Sequence, residues 1–97
     1  MQRAEDLNFD INHGSIFFIK KYVQDGLKEI FKLKEGDMVT LKKGDIRIEI
    51  EDIKNISGQT YIGKVLSVTP YGALKKDNIT DDSEISFSYG HIFSCHH

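Results

Sequence analysis

The sequence has little cysteine and little proline, with one residue of each among 97. A single cysteine excludes a disulfide framework within the chain. The longest run of strongly apolar residues is Ile16–Ile19, whereas a membrane-spanning helix needs about 18 such residues. Residues 1–10 are polar and acidic, which does not fit the positive and then apolar profile of a secretory signal. We therefore expect a cytoplasmic protein that makes no membrane contact.

An excess of positive charge is also missing. The chain has 13 Lys and Arg residues against 15 Asp and Glu residues, for a formal net charge of −2. This balance argues against a generic nucleic-acid binder, for which a pI above about 9 is typical. The charge is unevenly distributed, because residues 55–76 contain lysine and no acid while residues 77–97 contain acid and no lysine. We expect any anion-binding surface to come from the middle of the chain.

The length is that of a single domain, and we assign residues 1–97 to it. We divide it into a polar N-terminal segment (1–14), a helix (15–33) and a small β-barrel (34–95). A chain of this size fills one hydrophobic core, so these parts are expected to pack together.

The helix is predicted from apolar residues that recur every three or four positions, a spacing that indicates an amphipathic helix. Ser15 is suited to cap it. The weak point is Asp25-Gly26, since glycine destabilises a helix interior. An alternative interpretation makes residues 15–22 a strand and residues 26–32 a short helix or a second strand. The apolar stripe consists of Ile16, Ile19, Val23, Leu27, Ile30 and Phe31.

The rest of the chain alternates apolar and polar residues, a pattern that predicts half-buried strands. The predicted strands are Met38–Lys42, Ile46–Glu51, Thr60–Thr69 and Ile85–Tyr89. Gly63 interrupts the third of them. We expect a bulge or bend at this glycine, because the missing side chain allows close backbone approach.

Short motifs in this region resemble those of SH3-like small β-barrels of the KOW and Tudor kind. The motifs are Lys34-Glu35-Gly36-Asp37-Met38-Val39, Tyr61-Ile62-Gly63-Lys64-Val65, and Ile85-Ser86-Phe87 followed by His91-Ile92-Phe93. The resemblance covers residues 34–95. It implies a small antiparallel SH3-like barrel for these residues. Together with the predicted N-terminal amphipathic helix, this gives the expected fold class α+β, mainly β. It implies no function, because such barrels support many.

The C-terminal residues contain the side chains that best suit a metal, namely His91, Cys95, His96 and His97. A metal needs three or four converging ligands, whereas terminal residues are often mobile and a final His-His fits a tag remnant. We expect no metal site and no cofactor, and we expect His91 to be a partly buried ring bonded to backbone. Cys95 is expected to lie too near the chain end to be oriented as a nucleophile. We therefore expect no enzyme.

The leading hypothesis is a non-enzymatic binding module that acts through protein–protein contacts or self-association. It depends on surplus aromatic residues in the predicted helix, where Phe18 and Tyr22 lie off the main stripe and would form a second apolar ridge. Exposed apolar surface of this kind commonly marks an interface. Across the hypotheses, the candidate binding residues are Phe18, Tyr22, Tyr61, Lys64, Tyr71, Tyr89 and His91.

Two further function classes remain open. The first is a nucleic-acid-associated small barrel, in which aromatic stacking and a cationic groove hold a single strand. The second is a small-molecule binder or a small inhibitor of phage or plasmid origin. The residues suited to nucleic acid are Tyr61, Tyr71 and Tyr89 together with Lys42, Lys43, Lys64, Lys75 and Lys76.

Overall fold

A computed structural model describes residues 2–19 and 33–96, and these residues form strands joined by turns. The strands are β1 (Gln2–Arg3), β2 (Phe17–Ile19), β3 (Met38–Lys43), β4 (Ile46–Ser57), β5 (Thr60–Thr69), β6 (Glu84–Ser88) and β7 (Ser94–His96). Two short 3-10 turns cover Lys75–Asp77 and Tyr89–His91. In the described part of the chain all seven strands belong to one sheet, in the order β1-β6-β5-β4-β3-β7-β2.

The centre of the sheet is an antiparallel meander. Strands β3, β4, β5 and β6 follow one another along the chain, and each pairs antiparallel with the next. The outer strands β1 and β2 instead pair parallel with β6 and β7. Parallel pairing is possible here because long chain segments separate the partners.

Strand β4 shows how the sheet acquires one buried face. Ile48 and Ile50 are fully buried, whereas Arg47 and Glu49 between and beside them lie on the opposite face. Successive side chains of a strand point to opposite sides, so this alternation directs the isoleucines inward. The prediction for this segment is confirmed. The core as a whole contains Ala4, Phe9, Val39, Leu41, Ile48, Ile50, Ile53, Val65, Val68, Leu74, Ile79, Ile85, Phe87, Ile92 and Cys95.

The predicted fold class is wrong, and its N-terminal helix is the first correction. Phe17–Ile19, within the segment predicted as a helix over 15–33, is strand β2. Phe17 pairs with Ser94 and Phe18 with Cys95, so the two rings lie on opposite faces. An apolar run this short fits either a helix or a strand, and aromatic and β-branched residues favour the strand. Residues 20–32 lie outside the described part of the chain.

Barrel closure is the second correction. Strands β1 and β2 end the sheet, and within residues 2–19 and 33–96 they do not pair with each other. Residues 2–19 therefore add two edge strands to an open sheet. The resemblance to SH3-like proteins stays a prediction.

Residues 2–10, part of the polar N-terminal segment, are bonded to the strands of the sheet. Ala4 is fully buried, and its backbone N–H donates to the carbonyl of Ser86 at 2.8 Å. The backbone N–H of Asp10 donates to the carbonyl of Lys42, also at 2.8 Å. These bonds attach the N-terminus to two distant strands.

The bulge predicted at Gly63 is confirmed. The β4–β5 register shifts between Glu51 and Lys54, so that Asp52 and Ile53 together stand opposite Gly63. Asp52 has a φ of +53°, the left-handed conformation that aspartate tolerates better than most residues. The extra residue bends β4 toward β5 at this point.

We expect Gly63→Ala to lower the free energy of unfolding by about 2–3 kcal/mol through overpacking. The added Cβ would lie 2.4 Å from Ile50 Cγ2 and 2.9 Å from the Glu51 carbonyl oxygen. Gly14→Ala is the control, since its Cβ would meet Asn12 Oδ1 at an ordinary 3.6 Å. Urea denaturation measures both variants. Equal midpoints for the two would contradict the close approach at Gly63.

Candidate functional site

The aromatic residues proposed for binding have different environments. Tyr61 is half-buried and stacks on Phe87, with 6.0 Å between ring centroids, so it contributes mainly to the core. Phe18 and Tyr89 line the same cavity of about 440 Å³. Phe18 also packs against the core, whereas Tyr89 is exposed. Tyr22 lies outside the described residues.

Lys64 is exposed on β5 between two acids. It pairs in register with Glu51 of β4 on one side and with Glu84 of β6 on the other. Opposite charges at directly paired positions attract each other. Lys64 therefore lies on a locally acidic part of the sheet and is poorly placed to hold an anion.

A pair of cations lies elsewhere on the same outward face. Lys42 of β3 stands directly opposite Arg47 of β4, and Thr69 of β5 is opposite Arg47 on the other side. Within residues 2–19 and 33–96, neither Lys42 nor Arg47 forms an ion pair with an acid. Like charges directly opposite each other destabilise a sheet. The two cations thus lie side by side without an ion pair among the described residues, and Glu49 lies one row away on the same face.

Two aromatic rings accompany these cations. Lys42 Nζ lies 4.8 Å from the centroid of the Phe93 ring, and Lys75 Nζ lies 5.1 Å from that of Tyr71. Both distances are within the range of cation–π attraction. The Tyr71 ring is 84% exposed and follows Thr69 by two residues. The register of Thr69 with Arg47 therefore places Tyr71 at the same end of the sheet.

The first 3-10 turn brings more lysine to this end. Lys43 Nζ lies 3.8 Å from Asp77 Oδ2, which ties the turn to the end of β3. This oxygen is buried and has no hydrogen-bond partner among the described residues, so its negative charge is balanced mainly by Lys43. Lys75 and Lys76 of the same turn are exposed. We call the group the basic end; it consists of Lys42, Lys43, Arg47, Tyr71, Lys75, Lys76 and Phe93.

Acidic residues are present here too. Asp10 is held against the β3–β4 turn by a 3.0 Å hydrogen bond from the backbone N–H of Gly44, and Asp45 lies in the turn itself. Asp77 is paired with Lys43, and Asp81 lines a cavity together with Tyr71 and Lys75. The basic end therefore carries both signs, and its cations lie close together on β3, β4 and the first 3-10 turn.

A polar row adjoins the basic end across the outward face. Ser94, Thr40, Glu49 and Ser67 lie in register on four neighbouring strands, with Phe17 at the edge. Thr40 Oγ1 donates to Glu49 Oε2 at 2.9 Å, and the Phe17 ring is 67% exposed. Since Thr40 and Lys42 are two apart on β3, Phe17 lies one row from the basic pair. Hydroxyls and an exposed ring thus extend the cationic surface.

Sequence reasoning found part of this surface. It selected Tyr71 and four of the lysines for nucleic acid, but it passed over Arg47, Phe93 and Phe17. The alternation of β4 was a usable signal, since it directs Arg47 outward. No local pattern shows that Phe93 meets Lys42, because the contact joins the approach to β7 with the end of β3.

His91 forms a second polar cluster, at the opposite end of β5 from Tyr71. The ring is only 4% exposed, and Nδ1 accepts bonds from the Ser88 backbone N–H at 3.0 Å and from the Ser88 hydroxyl at 2.9 Å. A backbone N–H only donates, so Nδ1 carries no proton and the neutral ring holds its proton on Nε2. The expected backbone-bonded ring is confirmed. Arg3 and Glu5 form an ion pair at the rim of the adjacent cleft.

Burial lowers the pKa of His91, so the folded protein resists protonation of the ring. The free energy of unfolding is therefore unaffected by His91 above its ordinary pKa of about 6.5. It falls as the pH drops through that value, because the unfolded chain then binds the proton. We expect His91→Asn to remove this pH dependence, since Oδ1 can still accept from Ser88. Urea midpoints between pH 7.5 and 5 measure it. If the urea midpoints of His91→Asn and of the original protein fall in parallel with pH, His91 is not the group responsible for the dependence.

Cys95 is fully buried in β7, which corrects the expectation that nothing orients it. Its thiol donates to Asp37 Oδ2 at 3.5 Å, and the Lys34 backbone N–H donates to the same oxygen at 2.8 Å. Burial, and then the charge and hydrogen bond of Asp37, raise the pKa of Cys95 to about 12. A thiol in this state is a poor nucleophile at neutral pH.

No protein family, curated protein or solved structure matches this chain. The described ranges contain no group of three or more His, Cys, Asp or Glu side chains placed to hold a metal ion. They also contain no helix long and apolar enough to cross a bilayer.

Proposed function

We propose that this chain is a non-enzymatic binding module whose ligand is single-stranded nucleic acid, held at the basic end. The observation that supports this most directly is the Lys42–Arg47 pair. The two cations oppose each other on neighbouring strands, and neither forms an ion pair among the described residues. A phosphate between them would replace repulsion by attraction, because each cation would then face a negative charge.

The surroundings of the pair fit the same ligand. Single strands bind where bases stack on aromatic rings and the backbone follows a cationic groove. Tyr71 and Phe17 are exposed rings on either side of the pair, and Phe93 is half-buried beside Lys42. Lys75 and Lys76 extend the cationic surface beyond Tyr71. A cytoplasmic location, which agrees with a single unpaired thiol, is part of the proposal.

The basic pair provides the test. We expect the double variant Lys42→Gln/Arg47→Gln to weaken binding of a labelled 12-nucleotide DNA strand. Loss of two phosphate contacts should also reduce the slope of log K against log salt by about 1.4. Fluorescence anisotropy over a salt series measures both effects.

The matched control is Lys54→Gln/Lys64→Gln, which removes the same charge from the hairpin region of β4 and β5, away from the basic end. We expect its affinity to stay close to that of the original protein. Absence of binding by the original protein at low salt would overturn the proposal. If both double variants weaken binding equally, the basic end is not the place where the strand binds.

Protein contacts are the second candidate, and an exposed aromatic ring on an edge strand favours them. Phe17 is 67% exposed on β2, which ends the sheet among the described residues. If copies of the chain associate through this ring, Phe17→Ser should abolish a concentration-dependent dimer in sedimentation equilibrium. Phe18→Asp is unsuitable as a variant because Phe18 packs against the core. A monomer at all micromolar concentrations would contradict self-association.

A further inference from the structure

We propose that the cavity beside Tyr71 is a base-reading pocket that accepts a nucleobase with an exocyclic amino group. The cavity has a volume of about 160 Å³, which suits one heteroaromatic ring system. This inference rests on the proposed function, because the pocket would receive one base of a strand bound at the basic end. The residues that line the cavity differ in chemistry, and each kind contributes a different part of the recognition of a base.

The floor of the pocket is apolar. Val68 and Ile79 line it, and their side chains belong to the core, with 8% and 2% of each residue exposed. Flat apolar surface of this kind favours the face of an aromatic ligand over water.

The loop that carries the pocket is already ordered by its own hydrogen bonds. The backbone N–H of Ala73 donates to the Pro70 carbonyl at 3.1 Å, and that of Lys75 donates to the Gly72 carbonyl at 3.1 Å. Farther along, the backbone N–H of Thr80 donates to the Ser83 hydroxyl at 3.1 Å. A preorganised site loses less conformational entropy on binding, so this loop can hold a small ligand without refolding.

One wall combines a stacking surface with a cation. Tyr71 lines the cavity with a ring that is 84% exposed, and Lys75 Nζ lies 5.1 Å from its centroid. A base stacked on Tyr71 would have its phosphate within reach of Lys75. Thr69, two residues before Tyr71, pairs with Arg47, so the cavity and the basic pair lie at the same end of the sheet.

Polar residues of the cavity supply the selectivity. Asp81 and Thr80 are among the residues that line it. An ionised carboxylate only accepts hydrogen bonds. Cytosine and adenine present an amino donor, whereas thymine presents a carbonyl acceptor at the equivalent position. Asp81 would attract the amino group and repel the carbonyl, so cytosine is expected to bind in preference to thymine.

The experiment compares dC12 with dT12, two pyrimidine strands that differ at this amino or carbonyl group. By fluorescence anisotropy at low salt, we expect the original protein to bind dC12 at least about fivefold more tightly than dT12. We expect Asp81→Asn to abolish the difference, because an amide both donates and accepts. Tyr71→Ala should weaken both strands by about 5- to 100-fold through lost stacking.

Asp82→Asn is the matched control, since it changes the net charge equally and Asp82 is not among the residues that line the cavity. Its φ of +71° also suits asparagine. Failure of both strands to bind the original protein would overturn the proposed function itself. Equal binding of dC12 and dT12 would overturn the base-reading pocket but not the proposed function. The same conclusion would follow if Asp82→Asn changed the preference for dC12 as much as Asp81→Asn does.

Discussion

The register of β4 against its neighbours is the constraint on which the rest of the structure depends. Because side chains alternate with a period of two, a slip by one residue would move Ile48 and Ile50 to solvent and Arg47 to the core. Burial of isoleucine therefore fixes the pairing. The same pairing sets Lys42 opposite Arg47. The apolar core and the exposed cationic pair are two consequences of one arrangement, and the stability of the first outweighs the repulsion within the second.

The strands of the meander were predictable because each carries its own alternation, and short turns join β3 to β4 and β4 to β5. The outer strands were not. β1 has two residues, and its partner β6 lies more than 80 positions away in the sequence. β2 and β7 have three residues each and pair parallel with each other. Short segments with remote partners contain too few residues to show a period, so Phe17 and Phe18 were assigned to a helix.

Prediction of the candidate site was limited in a similar way. The sequence shows lysine and tyrosine, but only tertiary contacts gather them. Thr69 places Tyr71 at the same end of the sheet as Arg47, and Asp77 ties its turn to Lys43. Cys95 illustrates the converse. A position near the chain end suggested freedom, yet β7 places this thiol in the core because its strand has a partner on each side.

Net charge is the sequence feature that argues most strongly against nucleic acid, but the proposed ligand would respond to local charge rather than to the total. At 0.1 M salt, charges more than about 10 Å apart are largely screened. A bound strand therefore responds to the cations that touch it, and acids elsewhere have little effect. Asp77 is paired with Lys43, and Glu84 stands opposite Lys64. Both acids count in the total of −2, but neither offsets Lys42 and Arg47. Glu49, one row away on the outward face, is the acid that lies near this pair.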